Sequence, residues 1–235
     1  MKSARAAHIG GVEQGAAVGS PAYFRSRLIE VAAHEAGHGV VAWADWVAVG
    51  RPPHSVDAAG VPQSSPWQWA TVSGARDLSD GSCDSPRWGQ LGEVTGCHLW
   101  HQTQSTSDAI SVAGIVAERV AAGWPFTEHA AEATAWFWVT LPDPAFRDLN
   151  FTTWKGSAFP PSILRIGERR PRQKPATRQR RAEVAIMRAQ AILLEHRSLW
   201  ERFTAALAAT DHGIAWSLGG AEIFGEEVPE SKSTG

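Results

Sequence analysis

Residues 34–42 read His-Glu-Ala-Gly-His-Gly-Val-Val-Ala, and they lie in the middle of a segment with helical periodicity. From residue 23 to about residue 49, apolar side chains return to one side at intervals of three and four, which is the spacing of an amphipathic helix. The breaker cluster Gly50-Arg51-Pro52-Pro53 ends this segment. The sequence therefore predicts a long helix over residues 23–49 whose centre carries two histidines.

These histidines, His34 and His38, have the spacing that binds one metal ion. Residues four apart lie one above the other on the same face of a helix. Two imidazoles placed in this way can each bind zinc at about 2.0–2.1 Å. Glu35 can reach a water on that metal, act as general base, and later protonate the leaving amine. The pattern predicts one Zn²⁺ per chain, bound by His34 and His38, with Glu35 as the catalytic residue of a hydrolase.

The alternative interpretation is that the pattern arose by chance, which we estimate at about 2% for a chain with this histidine content. The extended metzincin motif is absent, since it requires glycine and histidine where this chain has Val41 and Ala44. The third ligand must therefore come from elsewhere in the chain.

Other segments also have helical patterns, so the predicted fold is mostly α. The predicted helices cover residues 106–122, 127–139 and 177–209, and a short segment ends at residue 224. Residues 50–100 are rich in Gly, Pro, Ser and Asp around short strand-like segments, which predicts a small irregular β and loop insert.

Four stretches are expected to lie outside or beside this helical core. Residues 1–20 are rich in Gly, Ala and Ser, and we expect them to form a flexible N-terminal arm. Residues 164–181 are rich in arginine, and we expect a solvated basic linker there. We expect residues 226–235 to be a disordered tail. We expect the tryptophans of the 50–100 insert to pack a small additional core, with a lid or substrate surface as the alternative.

Composition excludes several classes of protein. The chain has 235 residues, of which 43% are hydrophobic, and a net charge of -2. It is therefore not disordered as a whole and has no general attraction for nucleic acid. It has two cysteines, no apolar run near the roughly 20 residues of a membrane span and no phosphate-binding GxxxxGK[ST] loop. The first residues have no apolar core or cleavage site, so we expect no signal peptide. We expect a cytoplasmic protein with no membrane span and no nucleic-acid partner.

Three blocks of the sequence resemble, in the same order, the peptidase domain of the FtsH-type ATP-dependent zinc proteases. Residues 34–42 are the first block, and residues 112–123 resemble the family's LAGRxAEExxxG helix. Residues 181–199, followed by Leu-Gly-Gly-Ala-Glu-Ile at 218–223, resemble its late helix and the LxGxEI that follows. The resemblance covers residues 25–225 in patches. It implies a zincin-like helical metallopeptidase domain over residues 21–225.

The resemblance also implies where the third zinc ligand lies. In that family it is an aspartate in an NDLxxAT segment after the second block. Asp148, in Arg-Asp-Leu-Asn-Phe-Thr-Thr at 147–153, matches the residue types but lies later than the family spacing. His129, in Thr-Glu-His-Ala-Ala-Glu-Ala-Thr at 127–134, matches the spacing and is the alternative ligand. Both side-chain types bind zinc.

Three other carboxylates are weaker candidates for that ligand: Glu118, Glu128 and Asp143. The family counterpart of Glu118 lies near the site without being the accepted ligand. We therefore expect Glu118 to support a ligating histidine rather than to bind the metal.

The sequence as a whole predicts a zinc metalloendopeptidase that lacks its own ATPase module. Its expected substrates are peptides or unfolded proteins, and a separate ATPase would be needed to unfold others. The resembled family assembles into rings, so this chain is also expected to be able to form an oligomer. Two alternatives stay open: an interaction module whose catalytic site has decayed, and a zinc hydrolase of a non-peptide amide.

Overall fold

The segment that carries the two histidines forms one long helix, α1, which runs Pro21–Ala48. It ends where Gly50 and Arg51 take positive φ values of 84° and 56°, and the Arg51 amide donates back to the carbonyl of Trp46. The computed structural model describes residues 21–53, 55–56, 62–72, 93–95, 97, 103–140, 175–210 and 213–226.

Five further helices follow α1 among the described residues. They are α2 (Gln104–Ala121), α3 (Glu128–Thr140), α4 (Pro175–Glu195), α5 (Arg197–Ala209) and α6 (Gly220–Phe224). The prediction of a mostly α fold is confirmed. The predicted helix over 177–209 is wrong in one respect, because it is two helices that meet at His196. Among the described residues, no helix combines the length and the hydropathy that a membrane span requires.

The strands are short and lie in two small antiparallel sheets. One sheet pairs β1 (Ser55–Val56) with β2 (Pro62–Gln63). The other contains β3 (Trp69–Thr71), β4 (Glu93–Thr95) and β5 (Ile214–Ala215), in the order β4-β3-β5. Since β5 comes from the C-terminal region, this sheet joins the described part of the 50–100 insert to the end of the chain.

Helix α1 is the centre of the fold, with α2 packed on one side and α5 on another. The contact with α2 is close because both helices present small residues. A Cβ added at Gly37 would lie 2.6 Å from the Ala117 Cβ and 2.9 Å from the Ala113 carbonyl oxygen. Glycine is therefore required here to let the two backbones approach, and the approach brings α2 backbone within reach of α1 side chains.

An aromatic cluster closes the other side of α1. Trp67 is fully buried and stacks on Phe203 of α5 with ring centroids 5.2 Å apart. Trp216 and Phe224 pack edge-on against Trp67, at 5.1 and 5.7 Å. Trp69, in contrast, is partly exposed. Trp67 therefore belongs to the main core of the protein rather than to a separate core of the insert.

Two arginines of α4 make ion pairs with buried aspartates. Arg181 binds both carboxylate oxygens of Asp108 on α2, at 2.8–3.0 Å, and Arg188 binds Asp45 on α1. This differs from the predicted basic linker over 164–181, since residues 175–181 are the start of α4 and Arg181 points inward. An arginine run has the same sequence pattern whether it is solvated or paired, and the partner of Arg181 is 73 residues away.

The first residue of the predicted tail also has a fixed place. Glu226 accepts hydrogen bonds from the Arg51 guanidinium, at 2.9 Å, and from Trp43 Nε1, at 3.0 Å. The three donors hold the pKa of the Glu226 carboxyl below its ordinary value, with the Arg51 hydrogen bond as the largest cause. Several predicted segments lie outside the described residues: the arm over 1–20, most of the 50–100 insert, residues 164–174 of the basic linker, and residues 227–235 of the tail.

The buried ion pair between Arg181 and Asp108 should stabilise the fold more than the exposed pair between Arg180 and Glu183. We expect Arg181→Ala to lower the free energy of unfolding by about 3 kcal/mol, because it leaves the Asp108 carboxylate buried without its cation. The matched control is Arg180→Ala, which removes an exposed pair with Glu183 and should lose less than about 1 kcal/mol. Urea denaturation of the two variants measures both values. Equal losses would contradict this assignment.

Candidate metal centre

The two histidines and Glu35 lie on the middle turns of α1, where α2 packs against it. The side chain of His34 is only 16% exposed, and Glu35 is buried at 6% exposure. Neighbouring side chains on this part of α1 are small or fully buried, and they include Ala33, Ala36 and Val41. Polar side chains in such surroundings require hydrogen-bond partners.

Helix α2 supplies a partner for each imidazole at the Nδ1 atom. His38 Nδ1 lies 2.6 Å from the carbonyl oxygen of Ile110, and His34 Nδ1 lies 2.7 Å from Oε1 of Glu118. A carbonyl oxygen and an ionised carboxylate can only accept. Both Nδ1 atoms therefore carry the proton and donate it to α2. In the neutral state of each ring, this leaves a lone pair on Nε2.

The two Nε2 atoms face each other across 3.2 Å. Two lone pairs at this distance repel, so the arrangement favours a cation between them, either a proton or a metal ion. Two zinc–nitrogen bonds of about 2.0–2.1 Å that meet near a tetrahedral angle hold their nitrogens about 3.3–3.4 Å apart. The observed separation is close to that value. The pair therefore fits zinc both in spacing and in the tautomers that its partners impose.

The charges around the pair also favour a cation. Burial lowers the pKa of His34, but the hydrogen bond with Glu118 and the negative charges of Glu35 and Glu118 raise it, and the net pKa lies above 6.5. The buried thiol of Cys97 is also close enough to interact with Glu35. Burial raises the pKa of this thiol, and the negative charge of Glu35 raises it further. The region is therefore electronegative, with the Glu35 carboxylate buried and the Glu118 side chain half exposed.

The predicted third ligands have different outcomes. Asp148, like Asp143, lies outside the described residues. His129 stands at the start of α3 with its side chain 93% exposed and its Nδ1 3.9 Å from the carboxylate of Glu132. Glu128, next to it, is also exposed. Within the part of the chain that the structure describes, no three His, Cys, Asp or Glu side chains form a group that could hold a metal ion.

Glu118 contacts the ring of His34, as a carboxylate that orients a ligating histidine does. Two further contacts were not anticipated from the sequence: the Ile110 carbonyl at His38, and Gly114, whose missing side chain leaves room for the His34 ring. A backbone carbonyl carries no residue-type signal, so the sequence could not have revealed the first. The Ala-Gly of the second block was the available signal for Gly114.

Comparisons with protein-family models, with curated proteins and with solved structures found no match to this chain.

The contact between His34 and Glu118 should be measurable in the metal-free protein. We expect NMR titration to give His34 a pKa above 6.5 and Glu118→Gln to lower it, because the amide keeps an acceptor but loses the charge. A raised folded-state pKa contributes stability that is fully present below the unfolded value, about 6.5, and is lost as pH rises through the folded value. The difference in stability between wild type and Glu118→Gln should therefore be larger just below pH 6.5, where Glu118 is still a carboxylate, than above the folded-state pKa of His34.

Glu132→Gln is the matched control, since Glu132 lies beside the exposed His129. It should leave the pKa of His34 unchanged. An unchanged His34 pKa in Glu118→Gln would show that the contact is not formed in solution.

Proposed function

We propose that this chain is a zinc-dependent metallopeptidase, in which His34 and His38 bind the metal through Nε2 and Glu35 is the general base. One observation carries the proposal: each Nδ1 atom lies at hydrogen-bond distance from an acceptor on α2, and the two Nε2 atoms lie 3.2 Å apart. A shared proton or a metal ion would satisfy this arrangement, and the Nε2 separation, close to that of two zinc ligands, supports the metal.

When bound, zinc would supply Lewis acidity, which lowers the pKa of water towards about 7 and polarises a carbonyl group. We propose Asp148 as the third ligand, with His129 as the alternative. His129 would reach the pair only if α3 moved or its side chain turned inward, because its side chain faces solvent in this structure. Asp148 is therefore the better candidate of the two.

The residues of the chain itself hold and move the protons. Glu35 follows His34 directly on α1 and is buried, so its carboxylate interacts with nearby charges at low dielectric. In the proposed reaction it takes a proton from the attacking water and gives it to the leaving amine. Glu118 and the Ile110 carbonyl hold the two imidazoles in the tautomer that leaves Nε2 unprotonated, and they raise the basicity of the rings.

The substrate class rests on the resemblance to the FtsH-type peptidase domain, which supports peptide bonds over other amides. The proposed substrates are flexible peptides and unfolded segments, because a peptidase site by itself does not unfold a folded protein. Folded proteins would become substrates only with a separate ATPase.

The first experiment measures the metal content of the purified protein beside His38→Ala. We expect about one zinc per wild-type chain and none in the variant, because His38 contributes one of the two converging nitrogens. A wild-type protein that binds no zinc, even after zinc is supplied, would contradict the proposal and favour an interaction module.

The second experiment tests the base. We expect Glu35→Gln to keep its zinc and to lose hydrolysis of an unfolded protein substrate by about 10²–10⁴-fold, since the amide cannot accept the proton. Glu195→Gln, at the exposed end of α4, is the matched control and should keep its activity.

Retained hydrolysis in Glu35→Gln would show that the mechanism is wrong. Zinc binding with hydrolysis of small amides but not of peptides would instead identify the non-peptide amidase alternative.

A further inference from the structure

One glycine of α2, Gly114, lies directly against the ring of His34. A Cβ added at Gly114 would lie 2.2 Å from Nε2, 2.3 Å from Cδ2 and 2.5 Å from Cε1 of that ring. Real Cβ atoms essentially never approach another heavy atom closer than 3.0 Å. Any side chain at this position would therefore have to displace the imidazole.

The direction of the clash is informative. A point on the lone-pair axis of Nε2 would be clearly farther from the two flanking ring carbons than from the nitrogen. The three distances are nearly equal, so the added atom would lie over the face of the ring. The His34 imidazole is therefore packed flat against the backbone of α2 at Gly114.

The backbone conformation of Gly114 does not itself require glycine. Gly114 is inside α2 and is not among the described residues with positive φ, and glycine is one of the least favourable residues for a helix interior. The space taken by the ring of His34 is the reason that the structure offers for glycine at this position.

Gly114 also stands between the two groups that fix the histidines. Three residues of α2 follow one another at intervals of four and therefore lie on one face of the helix: Ile110, Gly114 and Glu118. The first gives its carbonyl to His38 and the last gives its carboxylate to His34. The gap between them is the place where the His34 ring lies.

We propose that Gly114 is a positioning residue of the metal centre: its missing side chain is the slot that lets Nδ1 of His34 reach Glu118 while Nε2 faces His38. This proposal rests on the proposed zinc function for its consequence, since displacement of the ring would remove one ligand. The packing contact itself does not depend on metal.

The two glycines that follow the first histidine on α1 differ from Gly114. A Cβ at Gly37 would meet the Ala113 carbonyl and the Ala117 side chain, and one at Gly39 would meet Phe203 at 2.6 Å and Trp67 at 3.3 Å. Both positions are tight, but the nearest atoms belong to the core. Gly39→Ala is therefore a matched control for Gly114→Ala, with a similar clash away from the imidazoles.

The first test is the zinc affinity of the whole protein, measured by competition with a chelator. We expect Gly114→Ala to weaken zinc binding by about 100-fold or more, since loss of a group that only orients a ligand already reduces affinity about 10–100-fold. The absorption spectrum of the cobalt-substituted protein should lose its four-coordinate signature as well. Gly39→Ala should lower the melting temperature but keep both the affinity and the spectrum. An unchanged zinc affinity in Gly114→Ala would overturn the proposal.

The second test is a double-mutant cycle on the metal-free protein, which combines Gly114→Ala with His34→Ala. We expect Gly114→Ala alone to lower the melting temperature by about 2–4 °C or more, because the ring must move. In the His34→Ala background the ring is absent and alanine is the better helix residue, so the same change should leave the melting temperature unchanged or raise it. Equal losses in both backgrounds would overturn the proposal.

The cycle separates this proposal from the proposed function. If the wild-type protein bound no zinc but the cycle showed the expected coupling, the contact between Gly114 and His34 would stand and the zinc function would fail. If Gly114→Ala proved too unstable to purify, recovery of folded protein in the double variant would supply the same result.

Discussion

The close approach of α1 and α2 is the constraint on which the rest of the site depends. The approach is possible because Gly37 has no side chain and faces the backbone of Ala113 and the Cβ of Ala117. A larger residue at position 37 would separate the helices. Because the two backbones are so close, the Ile110 carbonyl of α2 comes within hydrogen-bond distance of the His38 side chain on α1. A separation larger by one methyl group would leave the imidazoles without the partners that set their protonation.

That approach creates a strict requirement for hydrogen bonding. His34 and His38 are mostly buried, and a buried imidazole without partners would destabilise the fold. Each ring satisfies one nitrogen with α2 and directs the other towards its neighbour. The unusual feature is the convergence of two acceptors, which surrounding negative charge makes favourable for a cation. The same contacts that close the helix interface therefore support the proposed zinc site.

Packing elsewhere holds this interface in place. Arg181 ties α4 to Asp108 at the start of α2, and Arg188 ties α4 to Asp45 near the end of α1. On the opposite side, Trp200 of α5 donates its indole hydrogen to the Ala33 carbonyl, one residue before His34. These contacts restrain α1 on both sides, so the central turns of α1 have little freedom to shift.

Local periodicity was enough to locate α1, α2 and α3 to within about two residues, because an amphipathic helix records its buried face in its own sequence. The interruption at His196 was not predicted, since the apolar pattern continues through it and the helices on both sides share one core. The inward direction of Arg181 and the anchoring of Glu226 were also missed. Both depend on partners far along the chain, Asp108 and Arg51, that a local pattern cannot identify.

The sequence by itself determined the pair of histidines on one helical face and the carboxylate beside them, because the helix repeat alone sets which residues share a face. Tertiary structure alone decided the protonation of those rings and the distance between their Nε2 atoms. Both depend on the Ile110 carbonyl and the Glu118 carboxylate, which are 72 and 84 residues away from the histidines they contact. Only the folded chain brings them together, since hydrogen bonds act over a few ångströms of space whatever the separation in sequence.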